Sequence, residues 1–286
     1  METKCKSNQR PRYLRNPYRI ELIVTYQCNR RCYNCDAMVR HASTEDMMTE
    51  EQVAKFVNES IEKEIKWESI RVLGGEPTLH PNIKSIIGIL NDYKGKYSKD
   101  TIITIVSNGT GKHVKKILEE LKKTYDVVIE NSDKSSDVQP TFWPVNQAPI
   151  DMKEYNDFDF TKGCWITTMC GGALDLNGFY PCSTAAAIAR ITGQDFGRKL
   201  LPLENDTMDD LFQKYCQLCG HYHNWINEEL EVDLIDANHI EELGIIIEKY
   251  FKGTCEKNKL YKEIISTTWK HIFEKYEVEK PTMIKY

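Results

Sequence analysis

Four apolar runs, "RIELIVTY" (19–26), "SIRVLGG" (69–75), "TIITIVS" (101–107) and "DVVIENS" (126–132), alternate with three stretches whose apolar residues recur at helical spacing. The runs are too short for helices and read as strands; the stretches between them, 48–67, 82–93 and 112–125, read as helices. In the first of these Thr49 stands as N-cap with Gln52 three residues on, the pattern of a capping box, and Val53, Phe56, Val57, Ile61 and Ile65 form the apolar stripe. Strands alternating with helices predict a parallel sheet with right-handed crossovers, because a parallel neighbour is reached only by a long return connection. The fold class is therefore α/β. In such sheets ligands gather at the carboxyl ends of the strands.

Three motifs fall at that edge. "CNRRCYNC" places Cys28, Cys32 and Cys35 on a tight loop after the first strand, spaced so that their thiolates can reach one metal centre. A zinc clamp completed by a ligand from elsewhere, or an ordinary four-cysteine cluster, would use the same spacing. "GGEP" (Gly74, Gly75, Glu76, Pro77) follows the second strand: its glycines allow close approach to the backbone, and Glu76 can accept a hydrogen bond from an amine. "SNG" ends the third strand, where Ser107 and Asn108 offer hydroxyl and amide groups suited to a ribose.

With 286 residues, 41% of them apolar, the chain can bury a large core. Its 38 basic and 43 acidic residues are scattered and give a net charge of −5, without the basic stripe of a nucleic-acid binder. No apolar run reaches membrane-span length and the N-terminal region has no apolar segment, so a cytoplasmic protein with no membrane partner is expected. In that reducing compartment ten cysteines point to metal binding or catalysis rather than disulfides. Cys5 and Cys255 stand alone and read as incidental thiols.

The βα rhythm stops between 133 and 163, where Pro140, Pro144 and Pro149 mark a loop-like segment. Phe142, Trp143 and Asn146 in it, with Arg190 further on, are candidate substrate contacts. A hairpin follows, "GALDL" and "FYPC" joined at Asn177–Gly178. Around it lies a second cysteine group, Cys164, Cys170, Cys182, Cys216 and Cys219. Two helical patterns, about 239–251 and 260–276, close the chain. The expected divisions are an N-terminal extension (1–19), a βα core (20–150), a second cysteine domain (151–235) and a helical segment (236–286).

At Cys28, Cys32, Cys35, "GGEP" and "SNG" the sequence resembles the radical S-adenosylmethionine (SAM) superfamily over Ile20 to about Ser132. The resemblance implies a [4Fe-4S] cluster whose open iron binds SAM, an external electron donor such as flavodoxin or ferredoxin, and hydrogen abstraction by a 5′-deoxyadenosyl radical. The family usually has an aromatic residue just before the third cysteine; here Asn34 is there and Tyr33, the candidate cofactor contact, lies one place earlier. The second group resembles the superfamily's SPASM domains and their shortened twitch form, which implies a second, auxiliary [4Fe-4S] cluster. Cys182, Cys216 and Cys219 are the first choices as its ligands, Cys164 and Cys170 compete for the fourth place, and a structural zinc site completed by His221 or His223 is the alternative.

The family's core is a partial barrel of six βα units, yet only four strands precede Cys164. The expectation is a partial, shortened TIM-like βα barrel with a small C-terminal auxiliary-cluster domain. That outline resembles radical SAM dehydrogenases and implies an oxidoreductase acting on a sugar, cyclitol or nucleotide derivative. A peptide-modifying enzyme is the alternative, though the N-terminal extension is short for a peptide-recognition domain. No residue stands out as general base.

Overall fold

The computed structural model describes residues 10–42, 44–139, 142, 144–223, 232–247 and 266–275. After a short strand β1 (Arg12–Tyr13) the chain enters β2 (Arg19–Thr25), α1 (Glu50–Glu62), β3 (Ser69–Gly74), α2 (Ile83–Lys96), β4 (Ile102–Ser107), α3 (Lys112–Thr124) and β5 (Val128–Asn131). These four later strands are parallel neighbours in the order β5-β4-β3-β2. Leu22, Val24, Ile70, Val72, Ile103 and Ile105 are buried together with Phe56, Ile86, Leu90 and Leu121 of the helices, which is why the strands read as near-continuous apolar runs.

Helix α1 begins at the expected capping box: the Gln52 amide donates to Thr49 Oγ1 at 3.2 Å and the Thr49 amide to Gln52 Oε1 at 2.9 Å. It stops before the predicted residue 67. Glu64 takes a left-handed conformation (φ 56°) and the Ile65 amide donates to the Ser60 carbonyl, a terminating turn that frees Trp67 to bury its ring with Nε1 donating to Ser60 Oγ at 2.9 Å. Ile61, expected on the apolar stripe, is exposed.

Beyond three single helical turns within 149–162, the chain forms α4 (Trp165–Met169), the hairpin β6 (Gly172–Asp175) and β7 (Gly178–Tyr180), α5 (Ser183–Thr192) and α6 (Asp209–Tyr215). The hairpin does not stand apart. β6 pairs parallel with β2, matching Ile20 with Gly172 and Leu22 with Leu174, so the sheet has six strands in the order β5-β4-β3-β2-β6-β7 and β2 lies inside it. Strand β8 (Leu234–Ile235) returns to pair with β1. Residues 240–247 are helical, and α7 (Thr267–Lys275) buries Trp269 with its Nε1 donating to the Leu218 carbonyl at 2.6 Å. The remainder of the two C-terminal helical patterns lies outside the described residues. Among the described residues no helix is long and apolar enough to cross a membrane.

Gly171 fixes the junction between β2 and β6. Its φ is +77° and a Cβ there would stand 1.9 Å from the Arg19 carbonyl oxygen. Gly171→Ala is therefore expected to destabilise the chain by about 2 kcal/mol or more, read as a lowered midpoint in urea unfolding.

Candidate functional site

The loop after β2 is held to the end of β3 by backbone pairing. The Gly75 amide donates to the Thr25 carbonyl and the Glu76 amide to the Gln27 carbonyl, both at 2.8 Å. A Cβ on Gly75 would lie 2.1 Å from the Gln27 oxygen, so this position requires glycine. Glu76 is fully buried. Its carboxylate accepts from the Thr78 hydroxyl at 2.7 Å, the Ser107 hydroxyl at 3.0 Å and the Asn108 amide at 2.8 Å. Glu76 and Ser107, expected as ligand contacts, face each other and lock "GGEP" to "SNG". Asn108 reaches the other way, donating from Nδ2 to Asn29 Oδ1 at 2.8 Å with Cys28 Sγ 3.8 Å away.

Cys28, Cys32 and Cys35 line one cavity of about 400 Å³ with Gly74, Gly75 and Asn108. Burial pushes the Cys28 thiol up to about 12, against the Arg30 amide, which donates to its sulfur at 3.4 Å. Burial likewise raises Cys35, with Lys134 opposing. Gln139 Nε2 lies 3.5 Å from Cys32 Sγ. Such thiols lose their protons readily only to a metal, so the donor set suits an iron–sulfur cluster held on one side by protein. Tyr33 is fixed through its amide, which donates to the Asp137 carbonyl at 2.8 Å.

The same cavity has a charged floor that sequence reading missed. Glu21 from β2, Arg71 from β3 and Glu130 from β5 meet there: Arg71 Nη1 donates to Glu21 at 2.5 Å and Nη2 to both Glu130 oxygens at 2.9 Å. Burial raises the Glu21 pKa, with Arg71 and Ser183 opposing. The signal was available, since Glu21 and Arg71 interrupt otherwise apolar strands.

Phe142, Trp165, Arg190 and His221 also line this cavity. Arg190, expected as a substrate contact, is engaged within the chain and donates to the Ala37 carbonyl at 2.5 Å. Asn146 is buried and outside the cavity, packed where its carbonyl accepts from the Ser266 amide. Trp143 and Pro140 lie outside the described residues.

The second cysteine group divides. Cys164, Cys182, Cys216 and Cys219 line a small apolar cavity walled by Ile166, Ile188, Tyr215 and Tyr222. Burial pushes Cys216 and Cys219 well above the usual thiol range, and the nearby Cys164 and Cys182 push them further. Arg10 supplies a counter-charge: it donates to the Gly163 carbonyl at 2.6 Å, stands 3.6 Å over the Tyr222 ring and lowers the Cys164 pKa against burial. Cys170 belongs elsewhere. It lines the first cavity, with Arg71 Nη1 3.6 Å from its sulfur, and of the two only Cys164 lines the cavity of the second group.

Among the described residues no three or more His, Cys, Asp or Glu side chains are arranged to hold a single metal ion. In a cuboidal cluster each thiolate takes a different iron, so the sulfurs stand wider apart than around one zinc. His221 is not turned to the second group; its Nε2 donates to Asp36 Oδ1 at 3.0 Å.

Comparison with known proteins agrees with the first site. Residues 22–132 match the family model of the radical SAM superfamily. A GTP 3′,8-cyclase of Aliarcobacter butzleri is 28% identical over 121 residues, which are 41% of this chain and 36% of that protein. A GTP 3′,8-cyclase of Campylobacter jejuni subsp. doylei is 32% identical over 92 residues, 32% of this chain and 27% of that one. The chain thus matches about a third of the length of these curated relatives. The crystal structure of BtrN in complex with AdoMet and 2-DOIA aligns with a TM-score of 0.38 at 14% identity, covering 71% of this chain and 87% of that one. Three cysteines at one cavity and the "GGEP" turn laced beside them thus lie on the stretch, residues 22–132, that matches the radical SAM superfamily.

Proposed function

We propose that the chain is a radical SAM oxidoreductase that removes two electrons from a small polar substrate, a sugar, cyclitol or nucleotide derivative, with an auxiliary [4Fe-4S] cluster in its second cysteine group. The observation that carries this reading is the charged floor of Glu21, Arg71 and Glu130 in the cavity of Cys28, Cys32 and Cys35. Cluster and SAM, when bound, supply a carbon radical able to abstract hydrogen. Cys28, Cys32 and Cys35 would hold that cluster, and Gly74, Gly75 and Asn108 border the space for SAM. Cys164, Cys182, Cys216 and Cys219 would hold the second cluster, with Arg10 offsetting its charge.

Oxidation of an alcohol to a ketone removes a hydrogen atom, a proton and an electron: the hydrogen atom would go to the SAM-derived radical, and a cluster in the second cysteine group would supply the acceptor for the electron. The chain provides for the proton at Glu21, whose buried carboxyl is a stronger base than an exposed one. Arg71, fixed by Glu130, holds Glu21 in place and orients it toward the cavity. Phe142 and Trp165 wall the space and exclude water. Reducing equivalents would come from an external donor of the flavodoxin or ferredoxin class.

Cys32→Ala should abolish 5′-deoxyadenosine formation from SAM under dithionite; undiminished cleavage in that variant would refute the first site. In the second group, Cys164→Ala should lose about four irons per reconstituted chain whereas Cys170→Ala keeps them. Equal iron in both variants would overturn the ligand assignment. Glu21 must be ionised to act as base and its pKa is raised, so substrate oxidation should fall as pH drops through a value above the ordinary carboxylate range. Glu21→Gln should lower oxidation by about 10²-fold or more and remove that acid limb, leaving SAM cleavage in place.

A further inference from the structure

Two side chains of the second cysteine group's own framework land on consecutive residues of the first cysteine loop. Arg190 lies on α5, the helix whose N-cap is Cys182, and donates from Nη2 to the Ala37 carbonyl at 2.5 Å. His221 stands two residues after Cys219 and donates from Nε2 to Asp36 Oδ1 at 3.0 Å; a carboxylate only accepts, so Nε2 carries the hydrogen. Asp36 and Ala37 directly follow Cys35. Both reaching side chains are almost fully buried, at 6% exposure each. Neither can swing away without leaving a polar group unpaired in a dry place.

Each is braced from its own side. The Arg190 guanidinium lies 4.0 Å over the Tyr26 ring and 4.0 Å from Asp175, and the Tyr26 hydroxyl donates to Asp175. The Trp165 ring, next to Cys164, meets the His221 ring edge-on at 6.4 Å. The loop itself holds conformations that ordinary residues resist, with Asn34 at φ 54° and Met38 at φ 49°. Contacts that over-determine the backbone on both sides are what keep such a loop in one state.

We infer that Arg190 and His221 are positioning residues that couple the two cysteine groups, so that metal in the second group orders the loop presenting Cys35 in the first. This rests on the proposed occupancy of the second group. Closing four thiolates on a cluster fixes the start of α5 and the 216–219 turn, and with them the two donors. By linkage, order in the first loop favours metal in the second group to the same degree.

The test uses the full chain carrying Cys28→Ala, Cys32→Ala and Cys35→Ala, so that only the second group can load. After anaerobic loading with ferrous iron and sulfide, hydrogen exchange of backbone amides within 28–41 is followed by mass spectrometry, with iron measured in parallel. Loading is expected to slow exchange there about tenfold or more. Adding Arg190→Met and His221→Phe should abolish that slowing at unchanged iron content, and Arg190→Lys with His221→Gln should restore part of it.

Iron bound with no slowing, or equal slowing in the Met/Phe variant, overturns the coupling alone. No iron bound overturns the reading of the second group and this inference with it. Should the triple substitution not fold, Cys216→Ala with Cys219→Ala in the otherwise intact chain gives the reverse comparison. Fast exchange at 28–41 is then expected, and exchange matching the intact chain overturns the inference.

Discussion

The buried carboxylate of Glu76 is the interaction on which the first site depends. A fully buried charge is tolerated only where donors surround it, and here they come from two different strand ends, Thr78 beyond β3 and Ser107 and Asn108 at the end of β4. Those bonds bring the "GGEP" and "SNG" turns together. The turns in turn frame the cysteine loop, through the amides of Gly75 and Glu76 on one side and the Asn29–Asn108 pair on the other. A single side chain therefore sets the mutual position of three segments, the first two about forty residues apart in sequence and the last two about thirty.

The two cavities are built on opposite electrostatic plans. The first has carboxylates, guanidinium, hydroxyls and thiols around its wall, an environment that can orient a polar molecule and move a proton. The second is walled by aliphatic and aromatic side chains, with Arg10 as its nearby counter-charge. An apolar wall keeps water from the thiols.

Much of the core was legible because its signals are local: strand length, helical period, the Thr49 capping box and the close cysteine spacing each sit within one segment. What was not legible depends on distant partners. Nothing in "GALD" says that it will pair with β2 some 150 residues earlier. Glu76 has the chemistry of a ligand contact, and its bonds to Ser107 and Asn108 come from a strand end some thirty residues on. Cys164 and Cys170 are alike in sequence but flank the five-residue helix α4. Cys164 is its extended N-cap and Cys170 its helical C-cap, so the two leave opposite ends of the helix and line different cavities. Asn146 was placed near a substrate by its loop, whereas packing against Ser266 near the chain's end decides its position.

The pairing of β6 with β2 also sets an order of events as the chain is made. β2 precedes the cysteine loop directly, and its two neighbours in the sheet are β3 and β6, the latter beginning at Gly172. Until the ribosome has delivered that strand, one edge of β2 has only water for its backbone groups, and the contact is among the slowest to close because of its separation in sequence. The nascent first half thus exposes an open strand edge beside three free thiols.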